Sequence, residues 1–338
     1  MTPPDPGQVA ALPKADLHVH QEAAPRLDRV LARREERPPY DWAAWRRRLV
    51  AELPPGQLRL GSLGSAPILM ELDDDEMFVA RTVDILTEHA SAGGCYVEVR
   101  CGGDSVLRDG FMELFRTAEH QVQTVHPHLR AEALAVFADL TAPADYLARK
   151  ADACVRAAAE GLAGVDFIVT PYGSDADWSV AYRLAEPLAE AGLGITAHAG
   201  ELTTADLPAA ARMPGLTRIG HGVHAAYDPS LTQLLLDREV TLEVALSCNE
   251  LFGVLPATQE HPLLTLLTAG VPVTLATDDP VQIGTTIDAE YAAAAQLGVD
   301  NDQLLQITRN AIRAAFTTAE RRTELIDHVE QVARPSLH

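Results

Sequence analysis

Eight short runs of apolar and β-branched residues recur along this chain of 338 residues, and they constrain its fold more than any other feature. Between most of them lie stretches rich in alanine and leucine with helical spacing, such as 180–191 and 228–237. Strands and helices that alternate eight times predict an α/β fold, a (β/α)8 barrel of parallel strands. The runs cover residues 16–20, 95–101, 132–140, 164–172, 194–200, 217–223, 241–248 and 271–278.

The length predicts one large domain over residues 1–338, because a typical barrel of this class needs only ~250 residues. The gap between the first two runs, residues 21–94, exceeds a single crossover helix and predicts an inserted helical subdomain. Within it, 40–48 reads as an amphipathic helix and 56–67 as a flexible loop of small residues. The insertion forms either a lid over the active face or a helical pair on the barrel's flank.

The net charge of the chain makes some classes of binding partner unfavourable. The formal net charge is −21, from 48 acidic and 27 basic residues, which disfavours nucleic acid and anionic membrane surfaces. The first residues lack the pattern of a signal peptide, and no run of ~18 uncharged apolar residues occurs, so we expect a cytoplasmic protein.

Four cysteines without C-x-x-C spacing are expected to be buried free thiols.

Three of the predicted strands end in residues that bind metals. His18 and His20 are two positions apart and therefore point to the same side of the first strand. His198 ends the fifth run and Asp278 ends the eighth. The carboxyl ends of barrel strands meet at one mouth, so these four side chains predict a catalytic zinc site, with one ion per chain. A metal-assisted hydrolase fits this geometry.

Two further residues at the same mouth are suited to moving protons. Glu201 lies three residues after His198 in a His-Ala-Gly-Glu turn, and a carboxyl in a dry pocket favours its neutral form, as a general acid requires. His221 ends the sixth run between two glycines. It is placed to hold or deprotonate a water at the metal, or else to serve as a core histidine bonded to backbone.

Asp279 directly follows the predicted ligand Asp278. Neighbouring carboxylates repel unless a cation or proton relieves them, so the simplest arrangement puts Asp278 on the metal and Asp279 on the substrate. The structural alternative is that Asp279 caps its own turn.

In combination, these motifs resemble the adenosine deaminase family of the amidohydrolase superfamily, over residues from about 12 to 320. The motifs that carry the resemblance are Pro-Lys-Ala-Asp-Leu-His-Val-His at 13–20, Tyr-Val-Glu-Val-Arg at 96–100, His-Ala-Gly-Glu at 198–201, Arg-Ile-Gly-His-Gly at 218–222, Ser-Cys-Asn at 247–249, Glu-His-Pro at 260–262, Thr-Asp-Asp-Pro at 277–280, Gly-Thr-Thr at 284–286 and Glu-Tyr at 290–291.

The resemblance implies hydrolytic deamination of an aminopurine at a zinc site formed by His18, His20, His198 and Asp278. It implies that Glu201 protonates the ring nitrogen beside the amine-bearing carbon. His221 would orient the attacking water and stabilise its charge, and Asp279 would hydrogen-bond the five-membered ring. No nucleotide or redox cofactor is implied, and the partner is a small aminopurine.

The chain departs from the family pattern around the substrate. Gln-Glu-Ala at 21–23 stands where adenosine enzymes typically have Leu-Asp-Gly, and Glu22 there is similar to the adenine and aminodeoxyfutalosine deaminase branches. Gly173 is the counterpart of a glycine whose amide contacts the purine. The third run ends in Phe-Ala-Asp-Leu at 137–140 rather than an arginine–histidine pair, and 56–67 lacks the usual lid sequence. These changes indicate a remodelled specificity pocket.

Three functions stay open from sequence. The first is deamination of adenosine, deoxyadenosine, adenine or aminodeoxyfutalosine, and the second is zinc-dependent hydrolysis of another amidine-like or amide substrate. The third is zinc binding without turnover. Oligomeric state and the native metal are also open.

Overall fold

The eight apolar runs form eight parallel strands in a computed structural model that describes residues 5–63, 73–255 and 260–333. The strands pair in chain order, β1 to β8. Their bounds are β1 (Lys14–His20), β2 (Gly94–Cys101), β3 (Arg130–Phe137), β4 (Gly164–Phe167), β5 (Gly194–Ala199), β6 (Leu216–His221), β7 (Thr241–Val244) and β8 (Val273–Leu275). The predicted (β/α)8 barrel is confirmed.

The barrel closes through the residues that follow β8. The amide of Asp278 donates to the carbonyl of His18 at 2.8 Å, and the amide of His20 donates to the carbonyl of Asp278 at 2.7 Å. The seam between the last strand and the first therefore lies at the predicted metal ligands.

Helices cover the outside of the barrel and parts of its two ends. Their bounds are α1 (Pro6–Ala11), α2 (Ala23–Arg34), α3 (Trp42–Glu52), α4 (Gln57–Leu60), α5 (Asp75–Ser91), α6 (Phe111–Gln123), α7 (Ala144–Ala158), α8 (Ser179–Glu190), α9 (Leu207–Ala210), α10 (Pro229–Asp237), α11 (Leu246–Phe252), α12 (Leu263–Thr268), α13 (Pro280–Ile283), α14 (Ile287–Gln296), α15 (Asn301–Ala314) and α16 (Ala319–Ala333). Among the described residues, no helix is both long and apolar enough to cross a lipid bilayer.

Several strands end earlier than the apolar runs predict. The run 241–248 leaves the sheet after Val244 and continues as α11, while 164–172 leaves it after Phe167. Leu246 and Cys248 are buried although they lie in a helix, so their apolar character reflects burial and not strand conformation.

Helices occupy the described part of the long stretch before β2. Asp41 begins α3 by accepting a hydrogen bond from the amide of Ala44 at 2.8 Å. Trp42 and Trp45 pack with Cys248 and Val281, so α3 covers loops at the carboxyl end of the barrel. The predicted loop 56–67 contains the short helix α4, and its residues 64–67 lie outside the described residues. The single-domain organisation and the movement of this stretch as a lid stay predictions.

Phe316 closes the amino end of the barrel, where the strands begin. Its amide donates to Glu98 at 2.6 Å, and the guanidinium of Arg218 lies 3.5 Å from the centre of its ring. Gly164 and Gly194 leave room for the ring, because a Cβ added at Gly194 would lie 2.2 Å from the Cδ1 atom of Phe316. The absence of a side chain at this point of β5 is therefore a packing requirement.

We expect Gly194→Ala to destabilise the fold by ~1–3 kcal/mol, because the new methyl group overpacks the Phe316 plug. Urea unfolding would show a lower midpoint. Gly102→Ala is the matched control, since a Cβ at Gly102 meets no atom within 4 Å. Equal midpoints for the two variants would contradict this account of the plug.

Candidate active site

The four predicted metal ligands meet at the carboxyl end of the barrel. One donor atom from each of His18, His20, His198 and Asp278 lies within 4.8 Å of the other three. The Nε2 atoms of His20 and His198 are 3.2 Å apart, and Oδ1 of Asp278 lies 3.4 Å from Nε2 of His18 and 3.5 Å from Nε2 of His20. Side chains from β1, β5 and the end of β8 thus converge on one point.

Carboxylates behind two of these histidines set their orientation. Nδ1 of His198 lies 3.1 Å from Asp166 on β4, and Nδ1 of His18 lies 3.2 Å from Glu243 on β7. A carboxylate at Nδ1 favours the tautomer that leaves Nε2 free for a metal. Both Nε2 atoms accordingly face the point where the donors converge.

Two buried arginines complete this layer. Arg100 lies 2.9 Å from Asp166 and 2.5 Å from Glu243, while Arg218 bridges Glu243 and Glu98. Burial opposes ionisation of Asp166, but His198 and Arg100 outweigh it and hold the pKa of that carboxyl well below its usual range. Arg100 and Arg218 similarly hold the pKa of Glu243 well below its usual value against the effect of burial. The carboxylates therefore stay ionised in the barrel centre.

The donor set fits a divalent metal on three independent grounds. The separations of 3.2 to 3.5 Å match the ~3.4 Å between two ligands of a tetrahedral zinc ion. Nε2 of His18 is buried without a hydrogen-bond partner among the described residues. Arg100 and Arg218 pair with Glu98, Asp166 and Glu243, and Asp278 adds a fourth carboxylate beside His18. The barrel centre thus holds more carboxylates than cations, and a dication would balance it.

The protonation state of His20 also fits a metal ligand. Burial lowers the pKa of His20 to about 3, and the neighbouring His18 and His198 act in the same direction. The imidazole is therefore neutral at neutral pH, which is the form that binds metals.

Two of the converging residues adopt left-handed backbone conformations. Asp278 has φ 62° and His221 has φ 66°, in a region that residues with a Cβ rarely occupy. Each conformation turns the chain sharply at the end of a strand, so that the side chain enters the mouth. Such strain typically concentrates at functional sites.

Glu201 and His221 lie beside the donor set. Oε2 of Glu201 accepts a hydrogen bond from the hydroxyl of Tyr172 at 2.7 Å and lies 3.6 Å from Nε2 of His221. The thiol of Cys248 donates to Oε1 of Glu201 at 3.5 Å. Burial, with the nearby charge of Asp278, raises the pKa of Glu201 to about 7. Glu201 can therefore carry a proton near neutral pH, while burial lowers the pKa of His221 well below its usual value.

The predicted substrate residues have different surroundings. Burial and the carboxylates of Asp278 and Glu22 raise the pKa of Asp279 well above its usual value. Glu22 is buried and accepts hydrogen bonds from the amides of Val281 at 3.0 Å and Gln282 at 2.9 Å. Its carboxylate therefore holds the start of α13 in place, and its role toward a substrate stays a prediction.

A cavity of about 910 Å³ opens above the donor set. Glu22, Asp279 and Tyr172 contribute to its walls, together with loops after β1 and β2. Gly173 is not among the described residues that line it. The carbonyl of Gly173 accepts a hydrogen bond from Thr203 and its φ is 67°, so its amide contact with a substrate stays a prediction.

Sequence reasoning missed the residues beneath and beside the predicted set. Asp166 and Glu243 are carboxylates inside apolar runs, and that contradiction was a usable signal for a buried ion network. Gln282 also lines the cavity, and its Nε2 is buried without a partner in the described part of the chain. No spacing rule marks such a residue.

The fold and donor set define a (β/α)8-barrel protein with a metal-binding mouth. A sequence profile described as adenosine deaminase matches residues 63–332. The chain belongs to the adenosine deaminase family.

Curated relatives match over part of their length. An adenine deaminase from a Chelativorans species is 40% identical over 162 residues, covering 47% of this chain and 49% of the relative. An aminodeoxyfutalosine deaminase from Streptomyces coelicolor is 37% identical over 142 residues, 41% of this chain and 37% of the relative. The chain thus spans about half the length of the adenine deaminase and a smaller share of the aminodeoxyfutalosine deaminase. The crystal structure of an adenine deaminase from Arthrobacter aurescens shares the fold, with a TM-score of 0.77, 23% identity and coverage of 96% of this chain and 99% of that one.

We expect Asp166→Asn to weaken metal binding ~10- to 100-fold, because the neutral amide no longer fixes His198 or balances its charge. Competition against a chelator would measure the affinity. Glu132→Gln is the matched control, since Glu132 is also a buried strand carboxylate paired with arginines but lies away from the mouth. Equal metal affinity in both variants would contradict the role assigned to Asp166.

Proposed function

We propose that this protein is a zinc-dependent hydrolase that converts a 6-aminopurine compound and water to the 6-oxopurine and ammonia. The observation that carries the proposal is the position of a proton-bearing carboxyl, Glu201, beside the four donor residues in a chain of the adenosine deaminase family. Adenine and aminodeoxyfutalosine deaminases among its partial relatives support an aminopurine substrate.

Zinc, with one ion per chain, would be held by His18, His20, His198 and Asp278. Three imidazoles and one carboxylate form a donor set that zinc accepts in catalytic sites. When bound, the ion supplies a nucleophile at neutral pH by lowering the pKa of a water from ~15.7 toward ~7.

Glu201 would supply the proton that the purine ring needs. Its protonated carboxyl donates to the ring nitrogen next to the amine-bearing carbon, so the carbon becomes more electrophilic when water adds to it. His221, which is neutral because of its burial, accepts the proton that the attacking water loses. That proton then passes to the departing amine. As ammonia leaves, the remaining proton of the added hydroxyl returns to Glu201, and the purine keeps the oxygen as a carbonyl.

Asp279 and the cavity walls would orient the base. The raised pKa of Asp279 favours its protonated form, which donates a hydrogen bond to a nitrogen of the five-membered ring. The buried amide of Gln282 offers a further donor to the substrate. We also infer a cytoplasmic location and a small-molecule partner, from the sequence and the charge of −21.

Ammonia release across adenosine, deoxyadenosine, adenine, methylthioadenosine and aminodeoxyfutalosine would test the proposal. We expect turnover of at least one compound. Asp278→Ala should lose both bound zinc and activity, because it removes a ligand. If the zinc-loaded protein releases no ammonia from any of these compounds, the aminopurine assignment is overturned. A different amidine or amide substrate, or zinc binding without turnover, would then be favoured.

We expect Glu201→Gln to lower kcat by ~10²- to 10⁴-fold while zinc content stays unchanged, because the amide cannot transfer the proton. Zinc content and ammonia release would be measured on the same preparation. Glu160→Gln, at an exposed position, should leave both quantities unchanged. An active Glu201→Gln protein would exclude Glu201 as the acid.

Tyr172→Phe should move the alkaline limb of the kcat profile to higher pH. The hydroxyl of Tyr172 stabilises the ionised form of Glu201, so its loss raises the pKa of Glu201 above about 7. Activity requires the protonated acid and falls as pH rises through that pKa, hence the fall occurs at higher pH in the variant. A limb in the same place would show that Tyr172 does not bond Glu201 during turnover.

A further inference from the structure

A second group of metal-binding side chains lies next to the first. Glu201 follows β5, His221 ends β6 and Cys248 lies on α11, and one donor atom from each lies within 4.8 Å of the other two. The three residues are buried, so the group is sheltered from bulk water. They offer a carboxylate, an imidazole and a thiol, which are all ligands that zinc and similar divalent ions accept.

The separations within this group suit a single ion. The carboxylate of Glu201 lies 3.5 Å from Sγ of Cys248 through one oxygen and 3.6 Å from Nε2 of His221 through the other. Two ligands of a tetrahedral ion that binds sulfur at ~2.3 Å and nitrogen or oxygen at ~2.1 Å are ~3.4–3.6 Å apart. No large movement of these side chains is needed for an ion to enter between them.

The imidazole of His221 is available. Its Nδ1 is buried without a hydrogen-bond partner in the ranges that the structure describes, and its Nε2 is too far from Glu201 for a hydrogen bond. Buried imidazoles normally have partners, so an unpartnered one beside a thiol and a carboxyl indicates a ligand.

Negative charge around the group also favours a cation. Asp278 and Asp279 are adjacent in sequence, and both line one cavity together with Glu22 and Glu201. A second ion would relieve this crowding.

We propose that Glu201, His221 and Cys248 form a second metal site, which takes one thiophilic divalent ion such as Co²⁺, Cd²⁺ or excess Zn²⁺ beside the ion of the first site. Binding forms the metal–sulfur, metal–nitrogen and metal–oxygen bonds and releases two protons to solvent, the thiol proton of Cys248 and the proton that Glu201 carries. The site goes beyond the proposed function. Its consequence rests on that function: an occupied second site inhibits deamination, because both Glu201 and His221 are engaged.

Spectroscopic titration of the protein loaded with one equivalent of zinc would test the site. Added Co²⁺ should produce a near-ultraviolet thiolate-to-metal charge-transfer band that saturates at one further equivalent. The first site contains no sulfur, so cobalt exchange into it cannot give this band. Cys248→Ser should abolish the band, whereas Cys154→Ser should keep it, because Cys154 is equally buried but lies on α7 and belongs neither to the donor groups nor to the cavity lining.

His221→Asn retains the sulfur and gives a second measurement. We expect its affinity for the added ion to fall by more than the ~10- to 100-fold typical of losing an outer-shell partner. Absence of the band in the unsubstituted protein, or its persistence in Cys248→Ser, would overturn the site.

The activity measurement separates the two proposals. With a substrate that turns over, excess Cd²⁺ should inhibit the unsubstituted protein. It should inhibit an active Cys154→Ser protein just as strongly. A charge-transfer band without turnover of any aminopurine would overturn the proposed function and still support the second metal site. Turnover unaffected by the ion, with the band present, would overturn its inhibitory role.

Discussion

Two buried guanidinium groups support the centre of this barrel, and the geometry of the mouth depends on them. Arg100 and Arg218 are fully buried and share the carboxylate of Glu243. Burying an unpaired charge costs several kcal/mol, so each arginine is tolerable only with its carboxylates in place. The carboxylate oxygen that binds Arg100 also lies against Nδ1 of His18. The ion pairs that make the charged interior stable therefore also orient a metal ligand.

Closure of the barrel and construction of the site are the same structural event. Asp278 pairs through its backbone with His18 and His20, and its carboxylate lies beside the imidazoles of both. A chain that did not close at this seam would lose the ligand set, and a change in register between β8 and β1 would displace it. The left-handed backbone of Asp278 shows that this closure is maintained against a local conformational preference.

The strands and the four donor residues can be predicted from the sequence, but the contacts of the buried carboxylates behind the donors cannot. His18, His20, His198 and Asp278 could be predicted because alternation along a strand and the shared mouth of a barrel are local rules. Asp166 and Glu243 could not be paired with their histidines from sequence. The first pairing depends on the register of the neighbouring strands β4 and β5, and the second on contact between the non-adjacent strands β1 and β7. The predicted strands continue past the observed ends of β7 at Val244 and of β8 at Leu275. Hydrophobicity reports burial whether the backbone is extended or helical, so it does not mark where a strand stops.

The mouth also separates the protonation states of carboxyls that are neighbours in space. Burial disfavours charge on Asp278, but His18 and the other imidazoles hold its pKa well below the usual value. Asp279 faces carboxylates instead, and its pKa is raised. Glu201 has a raised pKa near neutrality because burial dominates its environment. One pocket thus holds an ionised carboxylate, a protonated carboxyl and a carboxyl that titrates near neutral pH, and environment rather than residue type sets the three protonation states. The same crowding of acids makes the mouth attractive to a second cation, so the arrangement that suits proton transfer also exposes the site to inhibition by metals.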